Sequence, residues 1–316
     1  MEKYYLGIDL GGTTTNIGLV SSEGQLVEER ILNTLPKNGP ENAFERIGAS
    51  IDEIRNSLTD DQVIISTGVG IPGIYNKKED KIEEASNLPG WKYISLGEVL
   101  RVTLDMNVFI DNDANMAALG EGWKGAGKDV PVSFMITLGT GVGGAIIQEN
   151  DIFTFNDFSG EFGHMIINTN GADCSCGRRG CLETFISKHG MERQAVELIT
   201  KGKNTLLRDF YPGSLSPHVI AHAAEQGDGV ALEIYDQAAY GLAVGIANIS
   251  NVLGINVFIL GGGITNAYHL IEPVLDEMLP SLIFDFQKRN IIVKKAELGE
   301  KAGLIGAAKF ALNQEI

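Results

Sequence analysis

The amino-acid sequence predicts an α/β protein with mixed sheets and two similar halves. Three observations carry that expectation. Apolar strand-like runs alternate with helical segments along the 316 residues, the order expected when helices cover a partly parallel sheet. A strand, glycine turn, strand pattern occurs in "GIDLGGTTTNIGL" and again in "TLGTGVGGAII", which points to a duplication. Glycine makes up 39 of 316 residues, about 12%, against a usual ~7%. Such a chain needs many tight turns and close backbone approaches.

Residues 4–10 and 16–20 read as strands joined by "GGTTT", with a third strand at 26–34. In "ENAFERIGASIDEIRNSL", Phe44, Ile47, Ile51, Ile54 and Leu58 recur at three-and-four spacing, which is an amphipathic helix. The apolar strand "QVIISTGVGI", a loop carrying "SNLPGW" and the strand "NVFID" follow, the last ending at Asp111. After "VSFMITLGTGVGGAII" the pattern gives helices at about 182–201, 217–226 and 229–253, a strand at 256–260, a helix near 266–279, a strand at 290–294 and a last helix from 302. From Gln237 to Ile271 there is no Asp, Glu, Lys or Arg, a length that would reach across a bilayer. Asn248, Ser250, Asn251, Asn256 and the glycines at 254 and 261–263 divide it, so it reads as a buried helix, a strand and a glycine turn. No low-complexity linker separates the halves, so a shared interface with a cleft and a hinge beside it is expected.

Lys plus Arg is 25 against 41 for Asp plus Glu, a formal net charge of −16. That surface repels nucleic-acid phosphates and anionic headgroups, so neither nucleic acid nor membrane is expected as a partner. Asp9 interrupts the only hydrophobic stretch near the start, no secretory signal is read there, and the expected location is cytoplasmic.

The glycine turns are the first candidate site. Consecutive N–H groups in Gly11, Gly12, Thr13 and Thr14, and in Gly139, Thr140 and Gly141, suit phosphate oxygens, and the threonine hydroxyls add donors. Asp9 at the end of the first strand would face the same phosphates, which calls for a hydrated Mg²⁺ between them. Gly261, Gly262 and Gly263 in "ILGGGIT" follow a strand and precede a helix, where they could lie against a flat nucleoside. The bland reading of each turn is an ordinary hairpin connection. Two apparent motifs fail on context. "GTGVGG" continues as a strand where the dinucleotide fingerprint must open a helix. "GWKGAGK" is followed by Asp129 in place of Ser or Thr and is preceded by a helix.

Every cysteine lies in "GHMIINTNGADCSCGRRGC". A disulfide among Cys174, Cys176 and Cys181 would leave an orphan and close almost no chain. With His164 they form a Cys₃His set suited to a structural, tetrahedral Zn²⁺ with no position left for water. Gly177 and Gly180 supply the turns, and free buried thiols in a reducing compartment are the alternative. In "FIDNDAN", Asn112 and Asp113 stand where a strand gives way to a helix beginning near Ala114. From the residues alone Asp113 reads as an N-cap, and carboxylates held by several N–H donors have a lowered pKa.

The order and spacing of "DLGGTTTNIGL", "GIPG", "SNLPGW", "DNDANMAALGE", "TLGTGVGG", "GEFGH", "CSCGRRGCLE" and "LGGGI" resemble the sugar kinases of the ROK family (repressor, open reading frame, kinase), above all its bacterial glucokinases. The resemblance runs nearly end to end. It implies two actin-like (ribonuclease H-like) ATPase domains of the hexokinase superfamily. They are expected over 1–113 with the last helix, 302–316, and over 114–301 with the zinc loop. It implies transfer of the γ-phosphoryl group of ATP to the 6-hydroxyl of a hexose, most of all glucose, with Mg²⁺ and structural Zn²⁺ as cofactors. It assigns Asp113 as the base, and Asn112 and Asn87 to sugar hydroxyls. Glu161, Glu183 and His164 are assigned to the side of the sugar bearing O1, O2 or O3, the metal fixing one imidazole nitrogen and leaving the other for a hydroxyl. Trp91 is a candidate to stack on the ring. A homodimer or higher homo-oligomer is the family-level expectation. N-acetylmannosamine, N-acetylglucosamine, allose and fructose kinases share most of these motifs. The family's sugar-responsive repressors carry a helix-turn-helix segment ahead of the first glycine turn, which here begins only ten residues in.

Overall fold

The computed structural model describes residues 1–85, 87–154 and 160–315. Two compact units emerge. One comprises Met1–Pro131, Ala145–Ser159 and Ala296–Ile316, the other Val132–Gly144 and Gly160–Lys295.

The first stretch supplies β1 (Glu2–Leu10), β2 (Thr14–Ser21), β3 (Leu26–Asn33), α1 (Pro40–Ser57), β4 (Gln62–Ile71), the small hairpin β5 (Ile74–Asn76) and β6 (Lys81–Glu84), α2 (Leu96–Leu104), β7 (Val108–Asn112) and α3 (Asp113–Lys124). There follow β8 (Val132–Leu138), β9 (Val142–Gln148), β10 (Asp151–Phe153), α4 (Glu183–Ile186), α5 (Lys188–Thr200), α6 (Pro217–Glu225) and α7 (Gly229–Leu253). Then come β11 (Val257–Gly261), α8 (Tyr268–Leu282), α9 (Phe286–Arg289), β12 (Ile292–Lys295) and α10 (Ala302–Asn313).

The first sheet has the order β3-β2-β1-β4-β7. β1 runs antiparallel to β2 and parallel to β4, which is parallel to β7. As the central strand it is covered on both faces, hence its nearly unbroken apolar run. The strand period of two divides its side chains. Tyr4, Leu6, Ile8 and Leu10 pack with Phe44, Ile47 and Ile51 of α1 and Leu96 and Leu100 of α2. Tyr5 joins Leu304, Ile305 and Ala308 of α10 on the other face. α10 lies so close to the sheet that a Cβ at Gly68 would stand 1.8 Å from the Ala307 carbonyl oxygen. The same alternation turns Asp9 toward α10, where a Cβ on Gly303 would come within 3.0 Å of the Asp9 carboxyl carbon.

The second sheet has the order β10-β9-β8-β11-β12, with β11 parallel to β8 and to β12. α7 packs against α4, α5, α6 and α8. Its start is fixed by the Asp228 carboxylate accepting from the N–H groups of Val230 and Ala231, and its end by Gly254 at φ 73°. The expected reading of the uncharged stretch as helix, strand and glycine turn therefore matches the structure. Among the described residues no helix is long and apolar enough to cross a membrane.

Several expectations change. The helix expected over 182–201 is interrupted at Ser187, which is extended and caps α5 by accepting from the Gly190 N–H. α2 (Leu96–Leu104) stands where the sequence pattern gives no helix, between the "SNLPGW" loop and β7. The division expected at 113/114 falls at the first turn of α3, a helix that packs on α10 and belongs with the first unit. Gly306 permits that packing, since a Cβ there would lie 1.7 Å from the Met116 carbonyl oxygen.

Candidate active site

The first unit gathers Asp9, the Gly11–Thr14 turn, Asn87, Asn112 and Asp113. The turn is a tight β1–β2 connection in which the Gly11 N–H donates to the Thr14 carbonyl at 2.9 Å. Thr34 braces it, its N–H donating to the Thr13 carbonyl at 2.8 Å and its hydroxyl to the Gly11 carbonyl at 2.6 Å. Asn87 lies directly on the turn, because a Cβ at Gly12 would sit 2.7 Å from the Asn87 carbonyl oxygen. Burial pushes the Asp9 carboxyl above its ordinary range, opposed by a hydrogen bond from Asn16. One desolvated carboxylate at a strand end beside this turn fits a hydrated divalent cation, which would relieve its burial.

At the head of α3 the cap is Asn112, not Asp113. The Asn112 side-chain oxygen accepts from the Ala114 N–H at 2.8 Å, and its amide donates to the Gly73 carbonyl at 2.9 Å. One amide hydrogen of Asn112 is left for a ligand. Asp113 is the first helical residue, half-buried, with Oδ1 also accepting from the Ala114 N–H at 2.8 Å. The expected lowering of its pKa does not occur. Burial first, and the neighbouring Asp9 charge second, push the carboxyl up to about 6, against the opposing pull of the Ala114 and Asp113 N–H groups. Beneath it, buried Asp111 accepts from Lys77 Nζ at 2.5 Å and from Asn115 at 2.8 Å. Trp91 is fully buried, packed edge-on against Phe44 with ring centroids 5.2 Å apart, and is unavailable for stacking on a sugar.

In the second unit the three thiols and the imidazole converge. The four donor atoms of His164, Cys174, Cys176 and Cys181 all lie within 4.8 Å of one another. Cys174 Sγ is 3.6 Å from His164 Nδ1, and Cys176 Sγ is 3.7 Å from Cys181 Sγ. A zinc with Zn–S of about 2.3 Å and Zn–N of about 2.05 Å has tetrahedral edges of about 3.6 Å for N···S and about 3.8 Å for S···S. The donor set fits that ion. The loop is shaped for it by the bridges Ile166↔Cys181 and Asp173↔Arg179. Gly180 at φ 72° approaches the Asn168 carbonyl oxygen so closely that a Cβ would lie 1.5 Å from it. Backbone hydrogen bonding at Arg178 holds the Cys176 thiol below its ordinary range, while burial pushes Cys181 up.

His164 therefore turns Nδ1 toward the thiols and Nε2 toward Glu161, whose Oε2 is 3.9 Å away. Glu183 opens α4 and accepts from the Val142 N–H at 3.0 Å. One of its oxygens is thus committed to the second glycine turn, beside Gly141. A cavity of about 540 Å³ in this unit is lined by Gly139, Thr140, Lys188, Pro217, Tyr235 and Gly263, among others. Above Gly139 and Gly263 nothing stands within 4 Å of where a Cβ would be, whereas Gly262, at φ 91°, packs on the Leu138 carbonyl. Gly261 is the buried last residue of β11. The second and third glycine turns thus meet in one cavity. Its α6 and α7 residues Pro217, Ala221 and Tyr235 escaped sequence reading, since no short spacing links them to a glycine turn.

The ROK family profile matches residues 5–314. The chain belongs to the ROK family. Similar ROK relatives are the glucokinases of Halalkalibacterium halodurans, 33% identical over 99% of this chain and 96% of the relative, and of Thermotoga maritima, 33% identical over 96% of both. An N-acetyl-D-glucosamine kinase of Pectobacterium atrosepticum is 30% identical over 98% and 99%. Among solved structures, a ROK family glucokinase from Streptomyces griseus in complex with glucose and AMPPNP superposes with a TM-score of 0.76 at 29% identity, over 98% of this chain and 99% of that one. The fold is that of the ROK sugar kinases, with the mixed sheets of the actin-like ATPase superfamily.

Proposed function

We propose that this ROK family sugar kinase transfers the γ-phosphoryl group of ATP to the 6-hydroxyl of glucose, with Asp113 as general base. The observation that carries the reading is the state of Asp113: a half-buried carboxyl at the head of α3, raised to about 6. At pH 7 roughly nine in ten such groups are ionised, yet each is about a hundredfold better a proton acceptor than an ordinary Asp. Phosphoryl transfer requires little more of the protein than alignment and neutralisation of charge. The 6-hydroxyl oxygen attacks the γ-phosphorus, its proton passes to Asp113, and ADP leaves.

The remaining roles follow from chemistry and placement. The two glycine–threonine turns offer N–H and hydroxyl donors to phosphates, and the cavity beside Gly139 and Gly263 takes the nucleoside. Asp9 would hold hydrated Mg²⁺, which supplies charge neutralisation on the phosphates. His164, Cys174, Cys176 and Cys181 would hold Zn²⁺, which fixes the imidazole so that Nε2, with Glu161, meets sugar hydroxyls. Asn87, the spare amide hydrogen of Asn112 and the free oxygen of Glu183 serve the same sugar. The glucokinase relatives at 33% identity support glucose, and the N-acetyl-D-glucosamine kinase at 30% is the rival to be tested. The test is ADP release measured over a panel of hexoses: glucose should give the highest kcat/KM. Turnover of N-acetylglucosamine without turnover of glucose would reassign the substrate.

A further inference from the structure

The cavity that joins the second and third glycine turns has a charge pattern that the nucleotide reading leaves unexplained. An ATP tetra-anion bound by a chain of net charge −16 needs local cations. Among the described residues lining this cavity, Lys188 is the only Lys or Arg; the imidazoles of His218 and His222 line it too, and so does Glu225, whose carboxylate is 3.2 Å from His269 Nε2. Lys188 is the first residue of α5, thirteen residues long, and its backbone N–H donates to the Gly139 carbonyl at 2.9 Å. That bond ties the start of the helix to the turn that would hold phosphate. The lysine side chain is about half exposed (47%), and its partner Glu192, one helical turn on, is 4.0 Å away. An i, i+4 pair at that distance restrains the ammonium group only weakly. The open space above Gly139 and Gly263 leaves it room to reach a ligand in the cavity.

We infer that Lys188 is the cationic phosphate contact of the nucleotide site, pairing with the triphosphate of the donor while the cavity wall takes the nucleoside. The inference rests on the reading of this cavity as the nucleotide site and adds to it a residue that no motif in the chain marks. It makes one discrimination: Lys188 should matter to the phosphates and not to adenosine. It also separates Lys188 from the sugar, since neither Glu161 nor His164 lines the cavity.

The test is calorimetric titration of the full chain with AMPPNP and, separately, with adenosine, in wild type, Lys188→Met, Lys188→Arg and Gly263→Val. Lys188→Met should weaken AMPPNP about tenfold or more, as loss of a charge-assisted contact does, and leave adenosine within about twofold. Lys188→Arg should hold AMPPNP within about threefold of wild type. The salt dependence of AMPPNP binding should be shallower in Lys188→Met. Gly263→Val starts a side chain in open space, with nothing within 4 Å of its Cβ, fills the cavity from there and should abolish binding of both ligands. If Gly263→Val binds AMPPNP normally, the nucleotide lies elsewhere, and both the site reading and the role of Lys188 fall. If Gly263→Val blocks binding while Lys188→Met changes neither ligand, or both equally, the site reading stands and Lys188 is not the phosphate contact.

Discussion

Asp113→Asn should move activity and stability in opposite directions. In the folded chain the carboxyl is pushed up to about 6 from 3.8, worth about 3 kcal/mol if taken in full. Asp113 keeps partial contact with solvent, which screens part of that, leaving about 1–2 kcal/mol. The sign follows from proton binding. The native state holds this proton more tightly than the unfolded chain, so the stability it contributes is complete below about pH 3.8 and is lost as pH rises through 6. Above pH 6 the native state must carry an ionised, buried carboxylate beside Asp9. The neutral amide removes that penalty and can still accept from the Ala114 N–H. Thermal melting at pH 8 should therefore rise by about 2–4 °C, with the gain vanishing toward pH 4. Over the same range kcat should fall by about 10²–10⁴, the usual contribution of a positioned base, while the Kd for sugar stays within about threefold. A variant that keeps near-normal kcat, or that melts lower than wild type at pH 8, would refute the reasoning.

Further outcomes are expected. The acid limb of kcat/KM should have its midpoint near pH 6 and fall about tenfold per pH unit below it. In Asp9→Asn that midpoint should move down, because the second of the two causes raising Asp113 is gone; an unmoved midpoint would separate the two groups. Metal analysis should find about one zinc per chain. Cys176→Ser should lose it and raise the sugar KM about tenfold or more, whereas a zinc-free wild type with normal sugar affinity would remove the metal from the scheme. Gly68→Ala forces a Cβ against the backbone of α10 and should cost about 3 kcal/mol in denaturant unfolding. Gly229→Ala, where nothing lies within 4 Å, should change stability by less than about 1 kcal/mol.

The elements that could be read from the sequence were those whose pattern is local. α1 and α7 follow from periodicity and caps, and β1 and β4 from apolar runs, because burial on a face repeats at short intervals. The metal loop was legible because four ligands fall within eighteen residues. α2 escaped because "LGEVLRVTL" is short and follows a loop whose Trp91, buried against Phe44, carries no marker of burial in its neighbours. The true cap at Asn112 could not be told from Asp113, since both side chains accept from the same Ala114 N–H. The rise in the Asp113 pKa comes first from burial and second from Asp9, 104 positions away in sequence. Glu121, to which the sequence pattern gives no role, is fully buried and accepts from the N–H groups of Ala126, Glu297 and Leu298. Partners that distant leave no periodic trace.

The seat of α10 on the first sheet has a consequence for how the chain is made. Met1–Pro131 leaves the ribosome first, but the helix that covers the Gly7–Gly68 face begins at Ala302. At about 5–20 residues per second the ribosome needs roughly 10–30 s more to supply it. During that interval the nascent sheet has one face covered by α1 and α2 and the other bare around Tyr5 and Val20. Completion of this unit therefore waits for synthesis of the second, and its early half is a natural client for chaperones that shield apolar surface.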